Sequence, residues 1–274
     1  MARFWQRFRL QRLGVAGAAF VVVLGVLGVA VPALVGLDPN EISSRVLLAP
    51  SLAHPFGTDE LGRDVLIGIA HGIQVSLAVG LLAAVAATVI GTFVGAVAGF
   101  YGGLSDLGIM RITEAFQVMP SFILAAVIVA LSGPGLSRVV AVIALLSWPQ
   151  TARLMRAEVM RIKQLEFVDA VRCLGVPERT ILAREIVPNA FIPVLAVGTL
   201  TVGHAILLET ALSFFGLASP ETVTWGRMLA SGQRFLFNAW WLSFFPGMAI
   251  FLTVLAFNVL GDAIGSALSP RGGA

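Results

Sequence analysis

Residues 166–189 read EFVDAVRCLGVPERTILAREIVPN. They concentrate charge in a 274-residue chain that is 58% hydrophobic and only 12% charged, with a mean hydropathy of +0.93. Soluble domains carry about 25% charged residues, so this depletion points to a protein that crosses a membrane several times. A charged stretch inside such a chain belongs outside the hydrocarbon, where its ions keep their water. Its own pattern predicts two short helices. Leu165, Val168, Val171 and Leu174 recur every third position and form one helical face, with Glu166, Asp169 and Arg172 off that stripe. Gly175 ends the first helix, because glycine adopts positive φ at no steric cost. Pro177 suits the first turn of a second helix, where its missing N–H is not needed. That second helix is expected over 177–186, ending before Pro188. Helices this short are marginal alone, so the first is expected to pack either on its own bundle or on a partner.

On either side of this insert lie apolar runs. A hydrocarbon core about 30 Å thick takes roughly 20 apolar residues of helix. Six spans are predicted, at about 14–36, 73–99, 115–131, 139–152, 191–212 and 235–260, giving an all-α membrane protein. The fourth is short and is bounded by Arg138 and Arg153. It is counted because long arginine side chains snorkel to the interface, and the alternation of sides depends on it. The first run exceeds the 7–15 or so apolar residues of a secretory signal, so it is read as a retained helix. Two regions follow: 1–72, with the N-terminal tail, the first span and an external segment, and 73–274, a core with a charged loop at about 153–190.

Basic residues set the orientation. Assigned alternately, one side holds Arg3, Arg7, Arg9, Arg12, Arg111, Arg153, Arg156, Arg161, Lys163, Arg172, Arg179, Arg184 and Arg271. The other side holds Arg45, Arg63, Arg138, Arg227 and Arg234. Cytoplasmic loops retain lysine and arginine, so both termini and the charged loop are expected in the cytoplasm. The net charge of +3 is explained the same way and calls for no nucleic acid.

The single cysteine, Cys173, excludes an internal disulfide and a cysteine metal cluster. His54, His71 and His204 lack metal-ligand spacing. The only lysine, Lys163, lies between Ile162 and Gln164, so the Gly-Lys-Ser/Thr of a P-loop is missing and any ATP hydrolysis must come from another chain. No nucleophile–base pair suggests an enzyme. His204, inside the fifth span, is either a functional ionisable group or a neutral imidazole bonded to a neighbouring helix. Glu209, near the outer end of that span, is either interfacial or a gating or helix-pairing group, and Glu114 is read as interfacial. Gly91, Gly95 and Gly99 share one face of the second span and predict close helix packing, within the chain or against a partner. Pro120, Pro149 and Pro246 interrupt spans as kinks or hinges. Trp240 and Trp241 suit an interfacial aromatic belt. Around residues 54–64, Gly57, Thr58, Asp59 and Gly62 predict turns whose polar side chains bond backbone groups.

Three segments together carry a family resemblance. DAV at 169–171, then Gly175, then EIVP at 185–188 resembles the "EAA" loop of permease subunits of ATP-binding-cassette importers, with the glycine-to-proline spacing kept. Asp169 stands for the family glutamate, Val171 for an alanine and Val187 for a leucine. HPFGTDELGRD at 54–64 resembles the segment after the first span of dipeptide, oligopeptide and nickel permeases, and it points to the C-type member of the permease pair. LETALSFFGL at 208–217, Trp225-Gly226 and NVLGD at 258–262 resemble the C-terminal third of the same subunits. The resemblance runs from about residue 54 to 271.

It implies a type I importer permease fold in a bacterial or archaeal inner membrane. It also implies a homologous B-type permease partner, two ATP-binding subunits that hold ATP and magnesium, and an extracytoplasmic solute-binding protein. This chain would itself bind no cofactor and no metal. Leu165, Glu166, Val168, Asp169, Ala170, Val171, Leu174, Gly175 and Pro188 become the candidate ATPase-docking residues. Asp59, Arg63 and Asp64 become candidates for an external gate or binding-protein contact. Peptides are the expected solute, with nickel, glutathione or another small solute as alternatives. A self-contained secondary transporter would show repeated halves and mid-membrane charges, and no convincing repeat is visible.

With Cys173 replaced, a cysteine at Ser51 is expected to react with a membrane-impermeant thiol reagent applied to intact cells, and a cysteine at Gln164 is not. The reverse labelling pattern overturns the orientation.

Overall fold

The computed structural model describes residues 2–35, 39, 41–219 and 221–268; Gly36, at the end of the first expected span, and Arg271 lie outside them. Described residues form helices and no strand, with one isolated antiparallel bridge between Thr58 and Asp64. The chain opens with α1 (Ala2–Leu10) and α2 (Arg12–Val35). After the segment that includes residues 54–64 comes α3 (Val65–Tyr101), which at 37 residues is about 55 Å long by helical rise. It starts at Val65 rather than near residue 73, because Asp64 caps it by accepting from the backbone N–H groups of Leu66 and Ile67. The division expected at residue 72 therefore falls inside a continuous helix.

The third expected span is not one straight helix. α4 (Gly103–Val118) and α5 (Ser121–Ser132) are bent by 89° at Met119-Pro120. Pro120 has no N–H to donate and drives Met119 to extended backbone, φ −81° and ψ 135°. The fourth expected span lies within α6 (Leu136–Ile162). With 27 residues α6 is long enough to cross, but Arg138, Gln150, Arg153 and Arg156 leave it outside the helices apolar enough to do so. Four described helical stretches are both long and apolar enough by themselves, at Arg12–Val31, Val65–Tyr101, Glu178–Phe214 and Trp241–Leu268, and the bent pair makes a fifth. Six apolar crossings are thus not what the helices alone display.

Beyond α6, α7 (Glu166–Cys173) and α8 (Glu178–Ile181) form the charged insert. The expected stop before Pro188 does not occur. α8 continues through a π-helical turn, Leu182–Ile186, into α9 (Val187–Phe214). Pro188 lacks an N–H and would crowd the carbonyl of Arg184 in a regular helix. The wider turn relieves this crowding, with the Val187 N–H reaching back to Leu182 O and the Asn189 side chain donating to Glu185 O at 2.6 Å. α10 (Trp225–Gly232) and α11 (Trp241–Leu268) complete the fold. The last span begins at Trp241, since Phe235 sits in a short 3-10 turn. Trp241 is buried and donates its indole N–H to Thr58 O at 3.2 Å, so it packs inward, whereas Trp240 is 51% exposed.

The glycine stripe of α3 settles on α6. A Cβ placed on Gly91 would lie 2.7 Å from Trp148 O, on Gly95 2.3 Å from Ala152 O, and on Gly99 2.7 Å from Arg156 O. The stripe is therefore an intrachain contact in which two backbones touch. Around it, Val79 and Ala83 of α3 pack with Val129 of α5, Ile143 of α6 and Leu212 of α9. α2 closes on α11 and α3, as Gly17 abuts Ala256 O and Gly28 abuts Ile73.

Gly95→Leu is expected to force α3 from α6 and to destabilise the bundle by on the order of 1–3 kcal/mol. The readout is a lower thermal midpoint in detergent. Gly108→Ala, where a Cβ meets nothing within 4 Å, is the matched control and should leave the midpoint unchanged. Equal midpoints for the two variants would refute the α3–α6 contact.

Candidate functional site

The charged insert begins where α6 ends. Lys163 donates to Phe100 O at 2.5 Å and lies 5.1 Å above the Phe100 ring. The one lysine of the chain thereby satisfies a carbonyl at the C-terminal end of α3, where the helix dipole favours a cation. After the turn at Gln164, α7 lies across the end of the bundle. Val168 is fully buried against Phe100, Met155, Ile162, Ile181 and Ile186, with Val171 and Val176 packed beside it. The expected stripe is therefore only partly inward: Val168 anchors it, Val171 is half-buried, Leu165 is 40% exposed and Leu174 81% exposed. The opposite face presents Glu166, Phe167, Asp169, Ala170 and Cys173 to the outside.

Gly175 takes φ +77°, and a Cβ there would meet nothing within 4 Å. Its role is thus conformational, turning the chain from α7 toward Pro177, the residue that precedes α8. Arg172 bridges the two helices, donating to Asp169 Oδ1 at 2.9 Å and to Glu178 Oε1 at 3.0 Å. Those two carboxylates hold the guanidinium in its charged form and push its pKa up. Pro188 lies beyond the π-helical turn, at the start of α9. Beside α7 is a cleft of about 670 Å³ bordered by Leu165, Phe167, Asn189, Ile192 and Leu268.

The 54–64 segment is a knot of backbone bonds. Asp59 accepts from the N–H groups of Leu61 and Arg63 at 2.9 and 2.8 Å and from the Arg63 guanidinium at 2.7 Å. Asp64 caps α3 and also contacts His54 Nδ1 at 2.9 Å. Thr58 is fully buried, donating to Arg45 O and accepting from Leu48 N–H. Gly57 and Gly62 both have φ +76°, and side chains there would strike Leu48 O and Ser43 O. Asp59, Arg63 and Asp64 thus each hold the loop in shape. Asp59 and Arg63 find their partners within the loop, as expected of turn residues, and Asp64 fastens it to α3.

Within the spans, His204 and Glu209 of α9 have opposite surroundings. Glu209 is fully buried and accepts from the hydroxyl of Ser213, one turn on in the same helix, while its second carboxylate oxygen has no hydrogen-bond partner among the described residues. Thr224 caps α10, accepting from the Arg227 N–H. Trp225 joins α10 to α3 by donating to Ile69 O at 3.1 Å. Among the described residues His204 has no side-chain hydrogen-bond partner. It is exposed on a cavity of about 590 Å³ at the α4–α5 bend. Residues missed in the sequence converge there, namely Gln117, Ser121, Gln150 and Thr201, together with Arg153. Glutamines inside apolar runs were a visible signal; their convergence was not. Also missed was the fork of Arg156 on Asp106, both contacts at 2.5 Å, which joins the ends of α6 and α4.

Residues 87–272 match the family of binding-protein-dependent transport system inner membrane components. Over 271 residues the chain is 38% identical to the glutathione transport system permease protein GsiD of Escherichia coli O157:H7 and to that of Shigella sonnei strain Ss046, covering 98% of this chain and 89% of each relative. Among solved structures it is similar to inward-facing conformations of the MetNI methionine ABC transporter in two crystal forms. The TM-scores are 0.62 and 0.61 at 18% identity, covering 74% of this chain and 96% or 97% of the other.

Removing the α3 cap by Asp64→Ala is expected to cost about 1 kcal/mol and to lower the thermal midpoint. Asp59→Ala also loosens the loop. If Asp59→Ala stays folded with unchanged uptake and binding-protein-stimulated ATP hydrolysis, the segment is a connecting loop and no gate.

Proposed function

This chain belongs to the binding-protein-dependent transport system inner membrane components, and we propose that it is the C-type permease of an ATP-binding-cassette importer for short peptides. As a member of that family it is a multi-pass inner membrane protein and a transporter subunit. The family's dependence on a binding protein sets aside the self-contained secondary transporter. Glutathione is itself a tripeptide, and the relatives named above are glutathione transport permeases, which supports a peptide-sized solute with free carboxylates. Glutathione, nickel or another small solute is the second reading; the relatives' names favour glutathione, and the 54–64 segment that nickel permeases share favours nickel.

In this reading the chain forms half of the pathway and a homologous B-type permease forms the other half. Two ATP-binding subunits carry ATP and magnesium, and a solute-binding protein delivers the solute from outside. α6 serves as a sixth crossing whose polar face is sheltered by protein, and both termini lie in the cytoplasm.

The observation that carries the reading is the two-faced α7. Val168 roots it in the bundle, while Glu166, Phe167, Asp169, Ala170, Cys173 and Leu174 face outward. A short helix held to α3, α6 and α9 on one side and free on the other is suited to transmit a push. ATP-driven closure of the partner subunits moves α7. Val168 then carries the displacement to Met155 of α6 and Ile186 at the foot of α9, with which it packs. Leu165 and Gly175 bound the docking helix, and Pro188 marks where it joins α9.

The test is Gly175→Val. Backbone at φ +77° strains a β-branched residue by on the order of 1–3 kcal/mol. The added side chain meets no neighbour, so expression and insertion should stay near normal. In reconstituted complex, ATPase association or the coupling of hydrolysis to uptake should fall, with Gly175→Ala milder. Full uptake and full association in Gly175→Val would refute the coupling role of α7.

A further inference from the structure

The cavity at the α4–α5 bend has a one-sided chemistry. About 590 Å³ in volume, it is lined on its polar side by Gln117, Ser121, Gln150, Arg153, Thr201 and His204. These are donors and neutral acceptors, and among the described residues no carboxylate borders the space. Sites of about 300–1,000 Å³ hold small organic ligands, so a tripeptide-sized solute fits.

Arg153 decides its sign. It lies one turn from Gln150 on α6, and both are exposed. Arg153 also borders a second cavity that contains Asp106 and Glu114. Each of those carboxylates already has a partner: Asp106 is forked by Arg156, and Glu114 lies 3.2 Å from Arg111. Among the described residues Arg153 has no ion pair, and Gln117, Gln150 and His204 have no side-chain hydrogen bond. Unpaired donors within a membrane bundle are costly unless water or a ligand meets them. Pro149 sits just before them in α6, and Met119-Pro120 opens the bend opposite. The polar groups thus stand where two helices depart from regular geometry.

We infer that this groove is an anion-selective subsite of the transport path, in which Arg153 receives a carboxylate of the passing solute and Gln117, Gln150 and His204 bond its amide or carboxyl groups. The inference rests on the importer reading and adds what that reading lacks, the solute chemistry the permease itself favours. A guanidinium fork matches a carboxylate in two parallel bonds. It repels a metal cation, which separates this subsite from one for nickel.

The test needs no transport. In the purified complex held in lipid nanodiscs, with Cys173 replaced by serine, Gln150→Cys is reacted with a negatively charged and with a positively charged methanethiosulfonate. A focused positive field should speed the anionic reagent relative to the cationic one by about tenfold over the ratio at Ser51→Cys. Adding Arg153→Gln should remove that preference, and Arg153→Lys should keep most of it. S-methylglutathione should slow the labelling more than its diester does. The proposal is overturned if the thiol is inert to both reagents, if Arg153→Gln leaves the ratio unchanged, or if acid and diester protect alike. Failure of ATP-coupled uptake, measured separately in liposomes, would strike the importer reading and leave the labelling result standing.

Discussion

The fold depends on one close approach, that of α3 to α6 along Gly91, Gly95 and Gly99. Here a Cβ on any of the three glycines would run into the carbonyls of Trp148, Ala152 or Arg156 and into Thr151, Met155 or Val159. Lipid is as apolar as leucine, so helices in a bilayer gain little by hiding apolar surface from it and associate through tight packing instead. The contact shields one side of α6 with backbone and leaves the other side able to carry Gln150 and Arg153. A helix that could not cross lipid alone is thereby kept inside a bundle.

The same helix leads directly to the loop. Past the last glycine contact come Arg156 on Asp106, Lys163 on the end of α3, and then α7 with Val168 beneath it. Each of these joins α6 to another element near one end of the molecule. The ion pair is a two-pronged guanidinium–carboxylate contact, the geometry that fixes orientation best. α7 is thus attached to the most tightly packed pair of helices. A push on its exposed face meets a rigid lever rather than a loose strap.

The other end is built differently. Over 41–64 the chain is irregular, and hydrogen bonds hold it together with the apolar packing of Leu47 and Phe56: Asp59 on its own turn, Thr58 on Arg45 and Leu48, Asp64 on the start of α3. Trp241 fastens this loop to the last helix through Thr58 O. Trp225 does the same between α10 and α3 through Ile69 O. Buried polar groups with partners specify one arrangement, because any other arrangement leaves them unsatisfied.

The sequence by itself determined the class of the molecule, the position of the charged insert, the glycine turn at 175 and the family. Each of these is local or compositional: hydropathy over a window, a three-residue period, a motif at fixed spacing. It misplaced what depends on neighbours. The run 115–131 reads as one span by hydropathy; Pro120 marked a kink or hinge in it, but the bend of 89° that splits it into two helices is set by the packing of the bundle. Pro188, read as a stop, lies in a helix that continues by widening one turn. An apolar period says that a face is covered and not by what, so the glycine stripe left its partner open and the α7 stripe left its depth open. Only the tertiary structure set Gln117, Gln150, Arg153 and His204 around one cavity, because they come from α4, α6 and α9, and no spacing along the chain encodes a distance between helices.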